Sequence, residues 1–331
     1  MVSDTDPAAA ARSAEARAPS NAPAGAPTVQ TVRGPVAAAE LGMILPHEHI
    51  FINLLREYRA DGLLDDADLM AAELARYTAV GGRTVVDCTT RELGRAPERL
   101  AAISDRTGLH IVMGCGHYRD PYIDGGQVDR LSVDALAEAI IDEVQQGVDG
   151  TGIRPGVIGE VGCNGPHISA VEERTLRAAA RAHLATGLTL TTHAARWPVG
   201  LPQLDLFEAE GVLPGRVVIG HCDLVPDPAY HLELARRGAF VQFDTINGSV
   251  EYEIERRVRA VVALAEAGHL DQVLLSHDVC LTSDLAATGS GGYGFVASTF
   301  VPRLRAAGLT EAECQQLVEL NPRRALTGLP V

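Results

Sequence analysis

The sequence predicts an α/β protein with the (β/α)8 TIM-barrel architecture. Eight short β-like runs alternate with amphipathic stretches over about 300 residues, and such barrels usually need ~250 residues or more. Most of the runs are continuously apolar, as parallel strands covered on both faces should be. No Gly-x-Gly-x-x-Gly turn follows an early strand, which disfavours a doubly wound open sheet. We therefore expect an active site at the carboxyl ends of the strands.

The predicted strands are short apolar runs, several of which end in a polar residue. In chain order they are Met43–Leu45, Thr84–Cys88, His110–Gly114, Val157–Val161, Leu188–His193, Val217–His221, Phe240–Asp244 and Val273–Asp278. The first strand is followed by His-x-His, and alternate side chains on an extended chain share a face. His47 and His49 can therefore point into the same cavity.

Between the strands lie stretches with apolar residues at helical spacing. In the first stretch Met70, Leu74 and Tyr77 recur along one face. The predicted helices are Asp66–Ala79, Pro97–Thr107, Val133–Gln146, Glu172–Ala185, Asp205–Glu210, Pro228–Arg237 and Glu251–Ala267, followed by Ser298–Ala307 and Glu311–Leu320. Ser132 is expected to cap the third helix. A glycine-rich loop, Ser283–Gly294, follows the last strand.

Composition places the chain among globular proteins with a large core. It has 331 residues, of which 46% are hydrophobic. The formal net charge of −15 disfavours nucleic acid and anionic membranes as partners, so we expect a small-molecule substrate. No apolar run reaches the ~18–20 residues that span a bilayer. The chain contains no lysine, which excludes Schiff-base, P-loop and carboxylated lysines.

Residues 1–30 are rich in alanine and proline and predict a disordered tail, followed by a single domain over residues 31–331. The tail lacks a basic segment followed by an apolar block, so it does not read as a secretory signal. The six cysteines form no Cys-x-x-Cys pair, and reduced thiols are the default in such a chain. We expect a cytoplasmic protein.

Metal-ligand side chains stand at the ends of five predicted strands. They are His47, His49, Glu160, His193, His221 and Asp278. In a barrel these positions face one pocket. Each has an ordinary alternative: a rim or core histidine, a salt-bridge glutamate, or an aspartate that caps the next helix. Those alternatives do not explain why all the side chains share one end of the barrel.

A donor set of four imidazoles and two carboxylates suits a pair of zinc-like ions. One carboxylate can bridge ions about 3.5–4 Å apart, which then share a hydroxide. Metal binding lowers the pKa of that water to around 7 and supplies a nucleophile at neutral pH. Asp278 is placed to take the proton as general base. We expect two divalent ions, zinc first, with Mn²⁺ or Co²⁺ as alternatives.

These motifs resemble a known family. His-Glu-His after strand one, Thr-Thr-His at His193 and Gly-His-Cys-Asp at His221 are similar to the phosphotriesterase-related branch of the amidohydrolase superfamily. The resemblance runs from about residue 32 to the end of the chain and includes Asn321-Pro322. It implies a (β/α)8 barrel with a binuclear metal centre.

The resemblance also implies which residues hold which ion. His47 and His49 would hold one ion, His193 and His221 the other, and Asp278 would complete the first site. A homodimer is what the family suggests.

Two positions depart from the best-known members of that family. Their bridging ligand is a carboxylated lysine on strand four, whereas this chain has Glu160, which resembles the glutamate-bridged branch of bacterial phosphotriesterase homology proteins. Organophosphate hydrolases of the family also have an acid–histidine relay behind the aspartate. The corresponding positions here are Leu224 and Thr245, which argues against efficient triester hydrolysis.

Further candidates for the substrate pocket follow strands two, three and five. Arg91 and Arg196 offer guanidinium forks for an anionic substrate group, with ordinary surface arginines as the alternative. His117, Tyr118 and Trp197 are the other predicted pocket residues.

The expected function is therefore metal-dependent hydrolysis, in which the metal-bridging hydroxide attacks a carboxylic ester, a lactone or an amide. A phosphoester or phosphotriester hydrolase on the same metal centre is one alternative. A non-catalytic metal-binding barrel is the other, although a pure binder would have no need of Asp278 as a base. Fold alone does not separate these functions.

Overall fold

A computed structural model describes residues 25–248 and 250–328. Eight strands form one parallel sheet in which each strand pairs with the next in chain order. They are β1 (Met43–Glu48), β2 (Gly82–Asp87), β3 (His110–Cys115), β4 (Val157–Gly162), β5 (Leu190–His193), β6 (Val217–Ile219), β7 (Phe240–Phe243) and β8 (Val273–Leu275). This order confirms the predicted barrel architecture, and all eight predicted strands are present.

Helices follow the strands and cover the outside of the sheet. The principal helices are α1 (Ala67–Ala79), α2 (Pro97–Thr107), α3 (Val133–Gln146), α4 (Ala170–Thr186), α5 (Gly200–Ala209), α6 (Pro228–Arg236), α7 (Glu251–Glu266) and α8 (Val301–Ala306). Ser132 caps α3 as predicted, and Ser169 forms a capping box with Glu172 at the start of α4. The chain closes with Glu311–Gln315 and Asn321–Thr327, joined by a π-helical turn.

Several boundaries differ from the sequence prediction, three of them for local reasons. Helix α5 begins at Gly200 rather than Asp205, because Pro202 lies in its first turn, where no backbone donor is needed. The sixth and eighth strands end before the predicted His221 and Asp278. Both residues have left-handed backbones, with φ of 55° and 54°, and so leave the strand ladder.

The barrel closes between β1 and β8 through a side chain rather than a continuous ladder. The buried Glu48 carboxylate accepts a hydrogen bond from Ser276 Oγ at 2.7 Å. It also accepts from the backbone N–H groups of His277 and Val279, each at 2.9 Å. Glu48 therefore binds the end of the last strand to the first.

Shorter elements decorate the barrel. An antiparallel hairpin of Thr28–Thr31 and Gly34–Ala37 precedes β1, so the predicted tail boundary at residue 30 falls inside a strand. Most of the predicted tail lies in residues 1–24, outside the described residues. The β1–α1 connection contains a short antiparallel pair, Ile52–Asn53 with Leu63–Leu64, and a helical turn, Leu55–Tyr58.

The core fills the barrel and the layer between strands and helices. All six cysteines are free thiols, as predicted, and five of them are buried. Within the described part of the chain, no helix combines the length and the apolar character required to cross a bilayer.

Candidate metal centre

The carboxyl end of β1 directs two histidines toward Glu160 of β4. His47 Nε2 lies 3.7 Å from Glu160 Oε2, and His49 Nε2 lies 3.4 Å from Glu160 Oε1. Glu48, between them, points to the opposite side and holds β8. The alternation of side chains along a strand thus separates two ligand-type histidines from one structural carboxylate.

A second histidine pair meets the same glutamate from β5 and the end of β6. His193 Nδ1 and His221 Nε2 lie 2.9 Å and 3.2 Å from Glu160 Oε2, and 2.8 Å from each other. A side chain at Gly162 would collide with His193, so glycine there permits the close approach of β4 and β5. Glu160 therefore lies between the two histidine pairs.

Asp278 faces this cluster from the segment after β8. Its Oδ1 lies 3.2 Å from His49 Nε2 and 3.6 Å from His47 Nε2. Its backbone N–H donates to the carbonyl of His47 at 3.3 Å. With 18% of its side chain exposed, Asp278 is the most accessible member of the cluster.

Burial and mutual attraction set the charges of the cluster. Burial opposes ionisation of Glu160, but attraction from His47 and His193 outweighs it and holds the pKa of Glu160 well below its usual range. Burial, with the nearby His221, lowers the pKa of His193 to about 3. Burial would also lower the pKa of His49, but hydrogen bonds to Asp278 and Glu160 raise it to about 9. The cluster thus combines an ionised carboxylate with a neutral His193.

A buried carboxylate that the sequence analysis missed lies behind the histidines. Asp244 accepts from His221 Nδ1 at 2.8 Å and from His47 Nδ1 at 3.1 Å. Burial would raise the pKa of Asp244, but attraction from His221 and His47 lowers it far below its usual range. The available signal was its position at the end of the predicted seventh strand. Because a carboxylate only accepts, both Nδ1 atoms donate to Asp244, and Nε2 is the ring nitrogen that faces Glu160 in each histidine.

The donor set fits divalent cations. His47 Nε2 is buried and has no hydrogen-bond partner among the described residues, although it faces the cluster. The ligand atoms of His47, His49 and Glu160 lie within 4.8 Å of one another, as do those of Glu160, His193 and His221. Imidazole nitrogens and carboxylate oxygens are ligands that zinc-like ions prefer. The buried cluster is therefore compatible with a metal site.

A cavity of about 280 Å³ opens above the cluster. Its lining combines the cluster with side chains from the connections after β1, β3, β4, β5, β6 and β8. Besides His49, Glu160, His193, His221 and Asp278, it includes Ile52, Leu54, Glu57, Tyr58, Tyr118, Arg119, Asn164, Ala195, Arg196, Leu224 and Cys280. The volume lies at the small end of ligand pockets, which span roughly 300–1,000 Å³.

Two of the predicted pocket residues line this cavity. Tyr118 is buried, and its hydroxyl lies 3.4 Å from His193 Nδ1. Arg196 stands on the wall formed by the segment after β5.

Three other predicted pocket residues are directed away from the cavity lining. Arg91 is 74% exposed and approaches Asp149, and Trp197 is 46% exposed. His117 Nδ1 lies 2.6 Å from Glu92 Oε1 in a separate pair. All three follow strand ends, as predicted, but none of them is among the residues that line the cavity.

Sequence reasoning missed the wall made by the β1–α1 connection. Glu57 there forms a bidentate pair with Arg119, at 2.9 and 2.8 Å, and Arg119 also donates to Asn164. These three residues come from three different connections, so no local motif marks them. The family's relay positions behave differently: Leu224 lines the cavity, whereas the Thr245 hydroxyl donates to Asp223.

Comparison with known proteins agrees with this geometry. The phosphotriesterase family model matches residues 27–326. The chain belongs to the phosphotriesterase family. It is accordingly a metal-dependent hydrolase.

The phosphotriesterase family includes relatives that match nearly the whole domain. The phosphotriesterase homology protein of Escherichia coli (strain K12) is 36% identical over 282 residues, which cover 85% of this chain and 96% of that protein. Its crystal structure, complexed with phosphate in the active site, has a TM-score of 0.83, with 35% identity, and covers 87% of this chain and 99% of the other.

Two further relatives carry named hydrolase activities. The crystal structure of a lactonase from Listeria monocytogenes has a TM-score of 0.84 at 29% identity, and covers 91% of this chain and 99% of the other. The N-acetyltaurine hydrolase of Salmo salar is 29% identical over 343 residues, which cover 90% of this chain and 97% of that protein.

Proposed function

We propose that this chain hydrolyses carboxylic esters, lactones or amides with a pair of divalent ions, zinc first among them. The observation that carries the proposal is the position of Glu160, within 3.7 Å of ligand atoms from both histidine pairs and below a small open cavity. His47 and His49, with Asp278, would hold one ion. His193 and His221 would hold the other, and Glu160 would be common to both.

Divalent ions at these positions would lower the pKa of water and polarise the carbonyl oxygen under attack. The chain's own contribution is to orient the ligand atoms and to keep water from the buried side of the cluster. Asp244 binds Nδ1 of His47 and of His221, and Thr89 binds Nδ1 of His49. These contacts orient Nε2 of each ring toward the cluster.

Asp278 is the group we propose to accept the proton of the attacking water. Its side chain is the more exposed of the two cluster carboxylates that line the cavity, and Oδ1 lies near both histidines of the first pair. The left-handed backbone at Asp278 directs it inward while its N–H stays bound to the His47 carbonyl. Proton transfer of this kind typically contributes 10²–10⁴-fold to rate.

Carbonyl substrates are favoured over phosphotriesters by two considerations. Two relatives of similar length are named as hydrolases of carbonyl compounds: a lactonase, which acts on a lactone, and an N-acetyltaurine hydrolase, which acts on an N-acyl amine. Leu224 and Thr245 also provide no acid–histidine relay beside Asp278, since one is apolar and the other is bound to Asp223. Phosphoester hydrolysis on the same centre is the alternative, supported by the phosphate bound in the Escherichia coli relative.

The deciding experiment measures metal content and a substrate panel on one preparation. Protein reconstituted with Zn²⁺ or Mn²⁺ is expected to hold about two ions per chain. It should hydrolyse a member of a panel of lactones, aryl esters and N-acyl amino compounds faster than any phosphate ester. Asp278→Asn should lower kcat by about 10²–10⁴-fold while the protein retains most of its metal.

Asp205→Asn, on the exposed surface of α5, is the matched control and should change neither kcat nor the metal content. Protein that folds without bound metal, or that turns over only phosphate esters, would contradict the proposal. A full rate in Asp278→Asn would remove Asp278 from the role of base. Assembly as a homodimer stays a prediction.

A further inference from the structure

Strained backbone is concentrated around the cavity. Non-glycine residues with positive φ among the described residues are Arg59, Asp149, Arg196, His221 and Asp278. Three of them, Arg196, His221 and Asp278, line the cavity. Left-handed conformations are unfavourable for residues with a Cβ and persist where the surroundings or function hold them. Two of these three belong to the metal cluster, and Arg196 has no role in it.

Arg196 differs from the other arginine of the cavity in its partners. Arg119 is neutralised by the bidentate pair with Glu57. The Arg196 guanidinium is exposed and, within the described ranges 25–248 and 250–328, has neither an ion pair nor a hydrogen bond. Of the arginines in the lining, only Arg196 therefore has its charge available to a ligand.

The other charged side chains of the lining outside the metal cluster, Glu57 and Arg119, are paired with each other. Ile52, Leu54, Ala195 and Leu224 supply apolar walls. The carboxylates of the metal cluster line the same cavity, where bound cations would neutralise them. A substrate whose carbonyl lies at the cluster would therefore share this cavity with the Arg196 guanidinium.

We propose that Arg196 binds an oxyanion of the substrate, a carboxylate or a sulfonate, and selects small acyl compounds with a negative charge remote from the scissile bond. This inference rests on the proposed hydrolase function and names the substrate class of that site. The planar guanidinium binds such oxyanions through two parallel hydrogen bonds. The strained backbone of Arg196 is explained if the position of the guanidinium, rather than local stability, determines its conformation.

Three matched probes test the charge without requiring turnover. N-acetyl-β-alanine carries a carboxylate, N-acetyltaurine carries a sulfonate, and N-acetyl-β-alaninamide is the neutral analogue of the first. Dissociation constants are measured by calorimetry on metal-loaded protein that carries Asp278→Asn in every sample, including the reference called wild type here, so that hydrolysis of the probes is slow. We expect the anions to bind about tenfold to a hundredfold more tightly than the neutral amide, the range of a charge-assisted hydrogen bond.

Arg196→Asn should reduce that ratio to near one. Asparagine tolerates the left-handed conformation better than arginine, so this variant should melt at the same temperature as the wild type or higher. The matched control is Arg154→Asn, an exposed arginine in the connection before β4 at the opposite end of the barrel. It should retain the full preference.

The result that overturns the inference is an equal preference in Arg196→Asn and the wild type. Wild-type protein that binds all three probes equally, or binds none of them, overturns it too. The hydrolase proposal fails separately. Hydrolysis of neutral esters or lactones without an Arg196-dependent preference would support the hydrolase proposal and contradict the proposed substrate class. Arg196-dependent binding of the anions with no turnover of any panel member would support the anion site and contradict the hydrolase proposal.

Discussion

The carboxylate of Asp244 accepts a hydrogen bond from Nδ1 of His221 at 2.8 Å and from its backbone N–H at 3.0 Å. Its other oxygen lies 3.1 Å from Nδ1 of His47. One buried carboxylate therefore orients a histidine from each of the two pairs around Glu160. A substitution at Asp244 should therefore affect both histidine pairs.

Asp244→Asn is expected to weaken metal binding without removing a ligand. The amide has one accepting oxygen where the carboxylate has two, so His47 and His221 cannot both be held. Loss of such a partner typically costs 10–100-fold in metal affinity, and we expect that range. Competition with a chelator of known affinity measures it. Asp205→Asn is the surface control, and unchanged affinity in Asp244→Asn would show that the ring orientations are held by packing alone.

Glu160→Gln should lose about one ion per chain, because a neutral amide supplies one weak oxygen donor instead of a shared carboxylate. Metal content after dialysis is the measurement, with near-native circular dichroism as the check on folding. Glu138→Gln, exposed on α3, serves as the control. Retention of both ions would mean that Glu160 does not bridge the two histidine pairs.

Glu48→Ala is expected to destabilise the fold rather than the chemistry directly. The carboxylate accepts from Ser276 Oγ, two backbone N–H groups and His277 Nδ1, all inside the barrel. Removing the carboxylate leaves these buried donors without an acceptor, and each unsatisfied buried donor costs about 1–3 kcal/mol. Urea unfolding of the metal-free protein measures the loss, with the exposed Glu40→Ala as the control. An unchanged midpoint would show that the ends of β1 and β8 are held together by other contacts.

Asp284→Asn should stabilise the protein near neutral pH. Burial raises the pKa of Asp284 to about 6, so the folded state binds its proton more tightly than the unfolded state. Its contribution is present below the unfolded pKa of about 4 and is lost as the pH rises through about 6. An asparagine oxygen can still accept from the N–H groups of Cys280 and Leu281.

We therefore expect Asp284→Asn to gain about 1–3 kcal/mol at pH 7 and little at pH 4. Thermal unfolding at both pH values measures the difference. Asp205→Asn is the surface control. Equal effects of Asp284→Asn at the two pH values would contradict the raised pKa.

Local patterns in the sequence were sufficient for the barrel. Apolar runs such as Val273–Leu275 are recognisable because a parallel strand covered on both faces is apolar throughout. Helix α3 was predicted with its cap because Ser132 precedes a strongly amphipathic stretch. Strand ends also indicated the six ligand-type residues, since parallel strands deliver their carboxyl ends to one face.

The sequence by itself therefore determined the barrel and the set of ligand-type residues at the carboxyl ends of its strands. Tertiary structure alone decided which of them meet. Asp244, Glu48 and the Glu57–Arg119 pair act across strands or connections far apart in the chain, so no spacing reveals them. Arg196 faces the cavity and Arg91 faces solvent because the backbone after each strand turns differently. The reason is physical: periodicity sets the face of a regular element, whereas turns beyond its end are set by contacts with neighbouring connections.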